Sequence, residues 1–245
     1  MPGAGGRDRR NEPYAERFLK PFREYDEDPG EDLIGGRARL ELSRPSRIPA
    51  HPRLLIPGDP ASRESFDRAL RDAPTVPLAV EVGSGMGRFL RGIARERPGT
   101  LLLGCETRLG FCLKGLQKAD RLGMDRLFMA WGDARATLPL LVPPGRAAEA
   151  WLLYPDPWWK RRHAHRRHGS RMAEALARVL RPGGTLVLKS DVPSYLQNMA
   201  RTFLATGLFR RDPGPGPGGF LPPTDRELRL RHDQISSFTF RLLRT

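Results

Sequence analysis

The chain has 245 residues, with 42 basic and 28 acidic side chains and a formal net charge of +14. A chain of this length can bury one good-sized core, and its composition argues against disorder throughout. No apolar run is long enough to span a bilayer, and the first residues, MPGAGGRDRRNEP, carry charges where a signal peptide needs an apolar core. We therefore expect one main domain with extensions, located in the cytoplasm and not in a membrane.

The positive charge is unevenly distributed. Residues 1–75 carry 14 basic and 14 acidic side chains, so the whole excess lies in residues 76–245. A positive excess concentrated in one domain favours a polyanionic partner, and nucleic acid is the leading class. A generally basic protein without such a partner is the alternative.

The first 75 residues are predicted to be an irregular, charged and proline-rich extension. Residues 1–32 are dense in charges, and residues 43–60 are interrupted by five prolines, namely Pro45, Pro49, Pro52, Pro57 and Pro60. Proline fixes φ and removes a backbone donor, so we expect no long regular element in either stretch.

The pattern changes from Leu78 onward. Short apolar runs (LAVEV, LLLGC, LFMA, WLLY and TLVLK) alternate with helical stretches around 88–97, 108–122, 170–180 and 193–206. This alternation predicts a domain over residues 76–245 with an α/β fold and a mostly parallel sheet. The Gly/Pro segment at 212–223 then separates the last of these helices from SFTFRLL, which has strand character.

Nothing in the sequence favours a metal site. Cys105 and Cys112 are the only cysteines, and both lie in stretches that read as core, so we predict buried thiols. His163, His165 and His168 lie close together, but their cationic neighbours oppose metal binding.

The first apolar run leads into the glycine-rich turn EVGSGMG. Gly83, Gly85 and Gly87 allow a tight strand-to-helix turn that brings backbone against a ligand at a helix N-terminus. By itself this turn is consistent with three roles: binding a dinucleotide, binding S-adenosylmethionine, or only reversing the chain in a tight structural turn. No Walker sequence is present, which disfavours phosphate hydrolysis.

Acidic residues stand at the ends of the apolar runs. Glu106 ends the second run, and Asp133 follows the third. At the carboxyl ends of parallel strands, one carboxylate can accept both ribose hydroxyls and the next can meet the adenine amino group. Glu81, inside the first run, either orients the glycine turn near a cationic part of the cofactor or is a structural acid paired with an arginine.

The densest chemistry lies in residues 154–171, YPDPWWKRRHAHRRHGSR. Pro155 and Pro157 stiffen the turn around Asp156 and place its carboxylate at the sheet edge where substrate meets cofactor. After Asp156 the segment has six basic residues and no acid, which is typical of a phosphate-binding strip. A solvated basic loop is the alternative.

The run PDPWWKRRHAHRR resembles the signature PDPWxKxRHxKRR of the tRNA (guanine-N7-)-methyltransferase family. Further motifs resemble the family's in the same order: EVGSGMG its cofactor loop, GCE its ribose-binding acid, GDA its adenine-side acid, KSD at 189–191 its Thr-Asp, and TDRE at 224–227 its Thr-Lys-Phe-Glu. The resemblance covers most of residues 78–240. It implies a Rossmann-like class I methyltransferase with a doubly wound sheet and an antiparallel C-terminal strand.

The resemblance also implies roles for individual residues. At cofactor-binding positions stand Glu81, Gly83, Gly85, Gly87, Glu106, Asp133 and Asp156, of which Asp156 is also catalytic. At guanosine-binding positions stand Lys160, Asp191, Thr224 and Glu227, and at the tRNA contact Arg161, Arg162, His163, Arg166 and Arg167. Departures from the family pattern are Trp159 for proline, Ser190 for threonine, and Asp225–Arg226 for Lys-Phe.

The implied activity is methyl transfer from S-adenosylmethionine to guanine N7 in tRNA, expected at position 46 of the variable loop, by a monomer or homodimer that needs no metal. We expect the target guanine to leave its stack, with Trp158, Trp159 or Tyr195 serving as stacking surfaces or as core residues. The alternatives are a methyltransferase of the same fold acting on another RNA, a protein or a small molecule, and a catalytically silent RNA-binding module.

Overall fold

The computed structural model describes residues 50–156, 169–212, 221–232 and 238–245. Its strands and helices, in chain order, are β1 Leu54–Leu55, α1 Pro60–Asp72, β2 Leu78–Val82, α2 Arg88–Glu96, β3 Leu101–Glu106, α3 Leu109–Asp120, β4 Leu127–Trp131, α4 Ala134–Leu141, β5 Ala147–Leu153, α5 Ser170–Val179, β6 Leu180–Ser190, α6 Pro193–Ala205, β7 Phe209–Arg211, α7 Asp225–His232 and β8 Phe238–Arg244.

The strands form one sheet in the order β1-β4-β3-β2-β5-β6-β8-β7. Neighbours from β1 to β6 pair in parallel, whereas β8 is antiparallel to both β6 and β7. The predicted fold class is therefore confirmed. From β2 the chain first builds towards β4 and then returns to build β5 and β6 on the other side. This reversal opens a crevice at the carboxyl end of β2, where ligands bind in such sheets.

Helices cover both faces of the central strands. Every residue of β2 and β3 is buried, as is typical of parallel strands enclosed by helices. The buried apolar residues form two clusters. In one of them the fully buried Trp151 of β5 meets Phe89 of α2 edge-on, with 5.0 Å between ring centroids. This packing holds α2, and with it the turn that precedes α2, against the sheet.

Residues 50–75 are more regular than expected. The Asp59 carboxylate accepts a hydrogen bond from the backbone N–H of Ala61, and Pro60 occupies the first turn of α1, where its missing donor costs nothing. Phe66 of α1 is fully buried and packs edge-on against Phe128. The proline expected to interrupt regular structure thus begins a helix. The domain boundary at residue 75 stays a prediction, and residues 1–49 lie outside the described residues.

Two short helices escaped the sequence analysis. Helix α4 contains Pro139, and its first turn is capped by Asp133, whose carboxylate accepts from the backbone N–H of Arg135 at 2.9 Å. Helix α7 follows the Gly/Pro segment and begins at Asp225. Each has only eight residues, too few to establish an apolar period along the sequence.

Gly104 of β3 offers a test of the packing beneath the glycine turn. A Cβ at this position would lie 2.5 Å from Ser84 Oγ, 2.8 Å from Leu90 Cδ1 and 2.9 Å from Met129 Sδ. Because an added Cβ would lie too close to all three atoms at once, we expect Gly104→Ala to lower the free energy of unfolding by about 1–3 kcal/mol. Gly110→Ala is the matched control, since a Cβ there meets nothing within 4 Å. Equal denaturant midpoints for the two variants would contradict this packing.

Candidate functional site

The predicted site residues gather at one edge of the sheet. Because β2 to β6 run in parallel, their carboxyl ends meet at the same edge. The residues at or just after these ends are Gly83 after β2, Glu106 closing β3, Asp133 after β4, Asp156 after β5 and Asp191 after β6. The structure thus places residues from five separate sequence motifs around the crevice.

The turn from β2 to α2 has the backbone that its glycines permit. Gly83, Gly85 and Gly87 have φ angles of +72°, +56° and +67°, in the left-handed region that side chains disfavour. The N–H groups of Gly83 and Ser84 donate to the carbonyl of Cys105, at 2.8 and 3.1 Å. The turn is therefore tied to β3, and its backbone stands at the N-terminus of α2.

Glu106 connects the glycine turn to the end of β3. Its side chain is buried, with Oε2 accepting from the N–H of Gly85 at 3.0 Å and Oε1 from the N–H of Arg108 at 2.9 Å. These bonds orient the carboxylate towards the turn. A carboxylate at this place can also accept hydrogen bonds from the hydroxyls of a ribose lying across β3.

Glu81 lies beneath the turn as a buried acid, only 4% exposed. Its Oε2 has no hydrogen-bond partner, and no arginine pairs with it, among the residues that the structure describes. Burial, reinforced by the charges of Asp225 and Glu106, raises the pKa of Glu81 to about 8. An unpartnered buried carboxyl is costly, and a cationic ligand would remove that cost. The described residues thus provide no arginine partner for Glu81, and its cofactor role stays a prediction.

Asp133 has a local partner. Its carboxylate, 45% exposed, caps α4 and pairs with the guanidinium of Arg135. The side chain stands at the site edge, where the resemblance places the adenine-side acid.

The end of β5 directs the chain to Asp156. Tyr154 has a φ of +51°, the single positive value outside glycine in the described residues, and its N–H donates to the carbonyl of Lys189 at 2.7 Å. Strained backbone of this kind persists where the surrounding structure enforces it, frequently at functional sites. Asp156 is exposed, and its carbonyl accepts from the Tyr195 hydroxyl at 3.5 Å. Tyr195 is only 3% exposed and is thus a core residue, not a stacking surface.

The motif TDRE forms the start of α7. Thr224 Oγ1 accepts from the N–H of Glu227 at 3.0 Å, and Glu227 Oε2 accepts from the N–H of Thr224 at 2.9 Å. This reciprocal pair is a capping box, whose sequence signature is T-x-x-E. The sequence analysis selected both residues by resemblance but missed this structural role, which the signature itself could have revealed.

Each charged side chain of this motif also reaches another part of the fold. Glu227 accepts from Lys189 of β6, the Arg226 guanidinium binds Asp191, and Asp225 pairs with Arg88 of α2. Burial alone would raise the pKa of Glu227, but the hydrogen bonds from Lys189 and Thr224 lower it. Arg88 was not singled out from the sequence, and Lys189 and Arg226 were named there only as members of motifs. No ion pair was predicted for any of the three, because their partners lie far away along the chain.

Several predicted site residues lie outside the described residues. These are Lys160 of the guanosine site and Arg161, Arg162, His163, Arg166 and Arg167 of the tRNA contact, together with Trp158, Trp159, His165 and His168. Their assignments stay predictions.

Cys105 and Cys112 are buried, as predicted, and desolvation raises the pKa of both thiols, to about 12 for Cys112. Within residues 50–156, 169–212, 221–232 and 238–245, no group of three or more His, Cys, Asp or Glu side chains could hold a metal ion. No helix in those ranges has the length and apolarity needed to cross a membrane.

Comparison with known protein families shows that this chain matches a methyltransferase family. The family described as "Putative methyltransferase" matches residues 75–215. The match confirms the predicted resemblance to S-adenosylmethionine-dependent methyltransferases, whereas the extent of the domain, residues 76–245, stays a prediction.

Proteins named tRNA (guanine-N(7)-)-methyltransferase are similar to more than half of this chain. The one from Synechococcus sp. (strain JA-2-3B'a(2-13)) is 36% identical over 155 residues, which cover 62% of this chain and 64% of the relative. The one from Anaeromyxobacter dehalogenans (strain 2CP-C) is 39% identical over 140 residues, covering 57% and 69%. The one from Thermus thermophilus is 35% identical over 149 residues, covering 59% and 47%. The matches thus span roughly half to two thirds of these relatives.

Two solved structures share the fold. The antibiotic-resistance methyltransferase Kmr superposes with a TM-score of 0.52 at 17% identity, covering 78% of this chain and 97% of its own. The aminoglycoside resistance methyltransferase NpmB1 gives 0.50 at 18% identity, covering 72% and 92%. At these identities the likeness bears on the fold alone.

Proposed function

Because the chain belongs to the tRNA (guanine-N7-)-methyltransferase family of S-adenosylmethionine-dependent enzymes, we propose that it methylates N7 of a guanine in tRNA. The observation that supports this proposal best is the shared edge of the sheet. The glycine turn at 83–87 and the acceptor-side acids Asp156, Asp191 and Glu227 all lie there. The Arg88–Asp225 ion pair directly joins α2, the helix after the glycine turn, to the TDRE motif at residues 224–227.

On the cofactor side, the residues present fit S-adenosylmethionine. The cofactor supplies a methyl group on a positively charged sulfonium. Glu81 provides a buried carboxyl that a nearby cation would ionise, and Glu106 provides a carboxylate beside the glycine backbone. Asp133 offers a further acceptor on the next strand. These three acids explain why a cationic nucleoside would bind at this edge of a strongly basic protein.

On the acceptor side, guanine N7 carries an in-plane lone pair, so the reaction needs no strong base. The protein must align N7 with the methyl group, and positioning therefore dominates catalysis. As the purine becomes cationic, a nearby carboxylate stabilises the developing charge. The exposed Asp156 carboxylate at the end of β5 is the group that we assign to this role.

Recognition of guanine requires acceptors. The guanine N1–H and amino group are donors that a carboxylate can accept as a pair, and adenine presents a different pattern. Asp191 and Glu227 supply such carboxylates beside the acceptor position. The proposal extends to position 46 of the variable loop, to action in the cytoplasm as a monomer or homodimer, and to independence of metal.

The decisive experiment is incubation of the purified protein with S-adenosylmethionine and an unmodified tRNA transcript, followed by mass spectrometry of the nucleosides and positional mapping. N7-methylguanosine in the variable loop is the expected product. Cofactor binding without this product would redirect the search to another RNA, a protein or a small molecule. Failure to bind the cofactor, measured by calorimetry, would favour a catalytically silent RNA-binding module.

The basic strip 161–167 is expected to bind the tRNA backbone. Each phosphate contact contributes about 0.9 to the slope of log K against log salt for a duplex. We therefore expect Arg162→Gln, Arg166→Gln and Arg167→Gln together to weaken tRNA binding and to flatten that slope by about 2–3. Binding is measured by fluorescence anisotropy at several salt concentrations.

The matched control removes the same charge elsewhere. Arg71, Arg121 and Arg126 are exposed and lie at the opposite edge of the sheet, before β2 and β4. Their joint replacement by glutamine should leave the slope nearly unchanged. Equal slopes in the two triple variants would refute the assignment of the phosphate strip.

A further inference from the structure

An ion pair joins Asp191, at the end of β6, to Arg226 of the TDRE motif. Asp191 Oδ2 accepts from Arg226 Nε at 3.1 Å and also from Nη2 of the same guanidinium. The Asp191 side chain is 8% exposed and that of Arg226 is 33% exposed. The carboxylate that recognition of guanine requires is thus already engaged, by a side chain that retains contact with solvent.

Packing fixes the helix that carries Arg226. A Cβ on Gly92 of α2 would lie only 2.3 Å from Pro222 Cβ, so the segment before α7 lies directly against α2. Leu230 on the last full turn of α7 is 3% exposed. The segment 221–232 is therefore part of the packed fold, and side-chain rotation of Arg226 is the simplest way to open the acceptor site.

The two oxygens of Asp191 are differently occupied. Oδ2 takes both donors of Arg226, whereas Oδ1 has no hydrogen bond within the described residues. Accepting the guanine N1–H and amino group as a pair uses both oxygens of a carboxylate. Guanine can bind in this way only after the guanidinium has released Oδ2.

A displaced arginine beside a target nucleotide has an obvious new partner. A guanidinium binds phosphate through two parallel hydrogen bonds and is the side chain best suited to it. Breaking the half-buried pair with Asp191 has a cost, because the attraction between two partly desolvated opposite charges is lost. A phosphate within reach offsets that cost, but the neutral ribose of a free nucleoside does not.

We propose that Arg226 is a positioning residue that exchanges Asp191 for a phosphate next to the target guanosine, so that the acceptor site opens for nucleotides within a chain and not for free guanosine. This inference rests on the proposed function and makes it more specific. It gives a role to one of the residues by which TDRE departs from the family's Thr-Lys-Phe-Glu. Arg226 thereby couples recognition of the base to recognition of the backbone.

The test compares the binding of guanosine and of guanosine 3′,5′-bisphosphate, by calorimetry in the presence of S-adenosylhomocysteine. The wild-type protein should bind the bisphosphate at least about tenfold more tightly, since a charge-assisted pair is lost with guanosine. In Arg226→Gln, guanosine should bind more tightly than to the wild type, because Asp191 is released. The preference for the bisphosphate should fall to within about twofold. Arg226→Lys, which keeps the charge but loses the fork geometry, should give an intermediate preference.

Arg229→Gln is the control, because Arg229 is exposed one turn further along α7 and its Nε donates only within the helix, to the Asp225 carbonyl. Its bisphosphate preference should equal that of the wild type. With tRNA as substrate, Arg226→Gln should raise KM by about tenfold while kcat changes much less. A merely structural arginine would not tighten the binding of guanosine when it is removed.

Three results would overturn the inference. If Arg226→Gln weakens both ligands equally, the arginine only supports the fold of the site. If the bisphosphate preference survives in Arg226→Gln, another group binds the phosphate. If the wild type binds neither guanosine ligand and yields no N7-methylguanosine, the proposed function fails and the inference fails with it.

Discussion

Asp156→Ala loses methyl transfer while the protein remains folded and still binds its cofactor. We expect kcat to fall by about 10²–10³-fold or more, as when one preorganised group that stabilises transition-state charge is removed. The fold should persist because the Asp156 side chain is exposed and its carboxylate makes no hydrogen bond or ion pair within the described residues. The strained Tyr154 and the bond from Tyr195 to the Asp156 carbonyl involve backbone that the substitution leaves in place.

Single-turnover kinetics with tRNA, calorimetry with S-adenosylhomocysteine and thermal unfolding measure the three properties separately. Asp156→Asn should lose nearly as much turnover as Asp156→Ala, because the amide keeps the shape but not the charge. Asp125→Ala, which removes an exposed carboxylate just before β4 at the opposite edge, is the control. Turnover in Asp156→Ala at the wild-type rate would remove this residue from the mechanism.

Glu81→Gln is expected to stabilise the fold and to weaken the binding of S-adenosylmethionine. The pKa of Glu81 in the folded protein, about 8, lies above its ordinary value of 4.5, so the folded state holds this proton more tightly than the unfolded state. The contribution of Glu81 to the stability of the wild type therefore falls as pH rises from about 4.5 to about 8, and it stays low at higher pH. Glutamine has no proton to lose, so the variant escapes this penalty.

The difference in Tm between Glu81→Gln and the wild type should be small near pH 5 and reach several degrees by pH 8. The affinity of the wild type for the cofactor should change with pH in the direction opposite to its stability. Binding of a cation requires the ionised Glu81, so wild-type affinity should increase with pH up to about pH 8 and binding should release up to one proton. The glutamine variant should bind about 10–100-fold more weakly at pH 8.

Calorimetry in two buffers of different ionisation enthalpy measures the proton release, and differential scanning calorimetry measures Tm. Glu174→Gln, which neutralises an exposed acid on α5, should show neither effect. A Tm difference that does not vary with pH, combined with unchanged affinity, would make Glu81 an ordinary core residue. A pH-dependent Tm without a change in affinity would separate its burial from any role in cofactor binding.

The sequence predicted the fold and the site edge from local patterns. Apolar runs alternating with helical stretches indicated parallel strands, and parallel strands necessarily bring their carboxyl ends to one edge. Glu106, Asp133 and Asp156 could therefore be placed together before any contact was known, and Asp191 was added through the family resemblance. Local patterns also misled, since the prolines of residues 43–60 concealed the helix that begins at Pro60.

The sequence by itself determined the type of sheet, the position of the glycine turn and the identity of the acids around the crevice. These features depend on residue type and on spacing over a few positions, which the chain states directly. The tertiary structure alone decided that Arg226 forms an ion pair with Asp191 and that Lys189 forms one with Glu227. It alone also decided that the pKa of Glu81 is raised above its ordinary value. Ion pairing and desolvation depend on the distances between side chains and on the water around them. Folding sets those distances between residues that lie far apart along the chain.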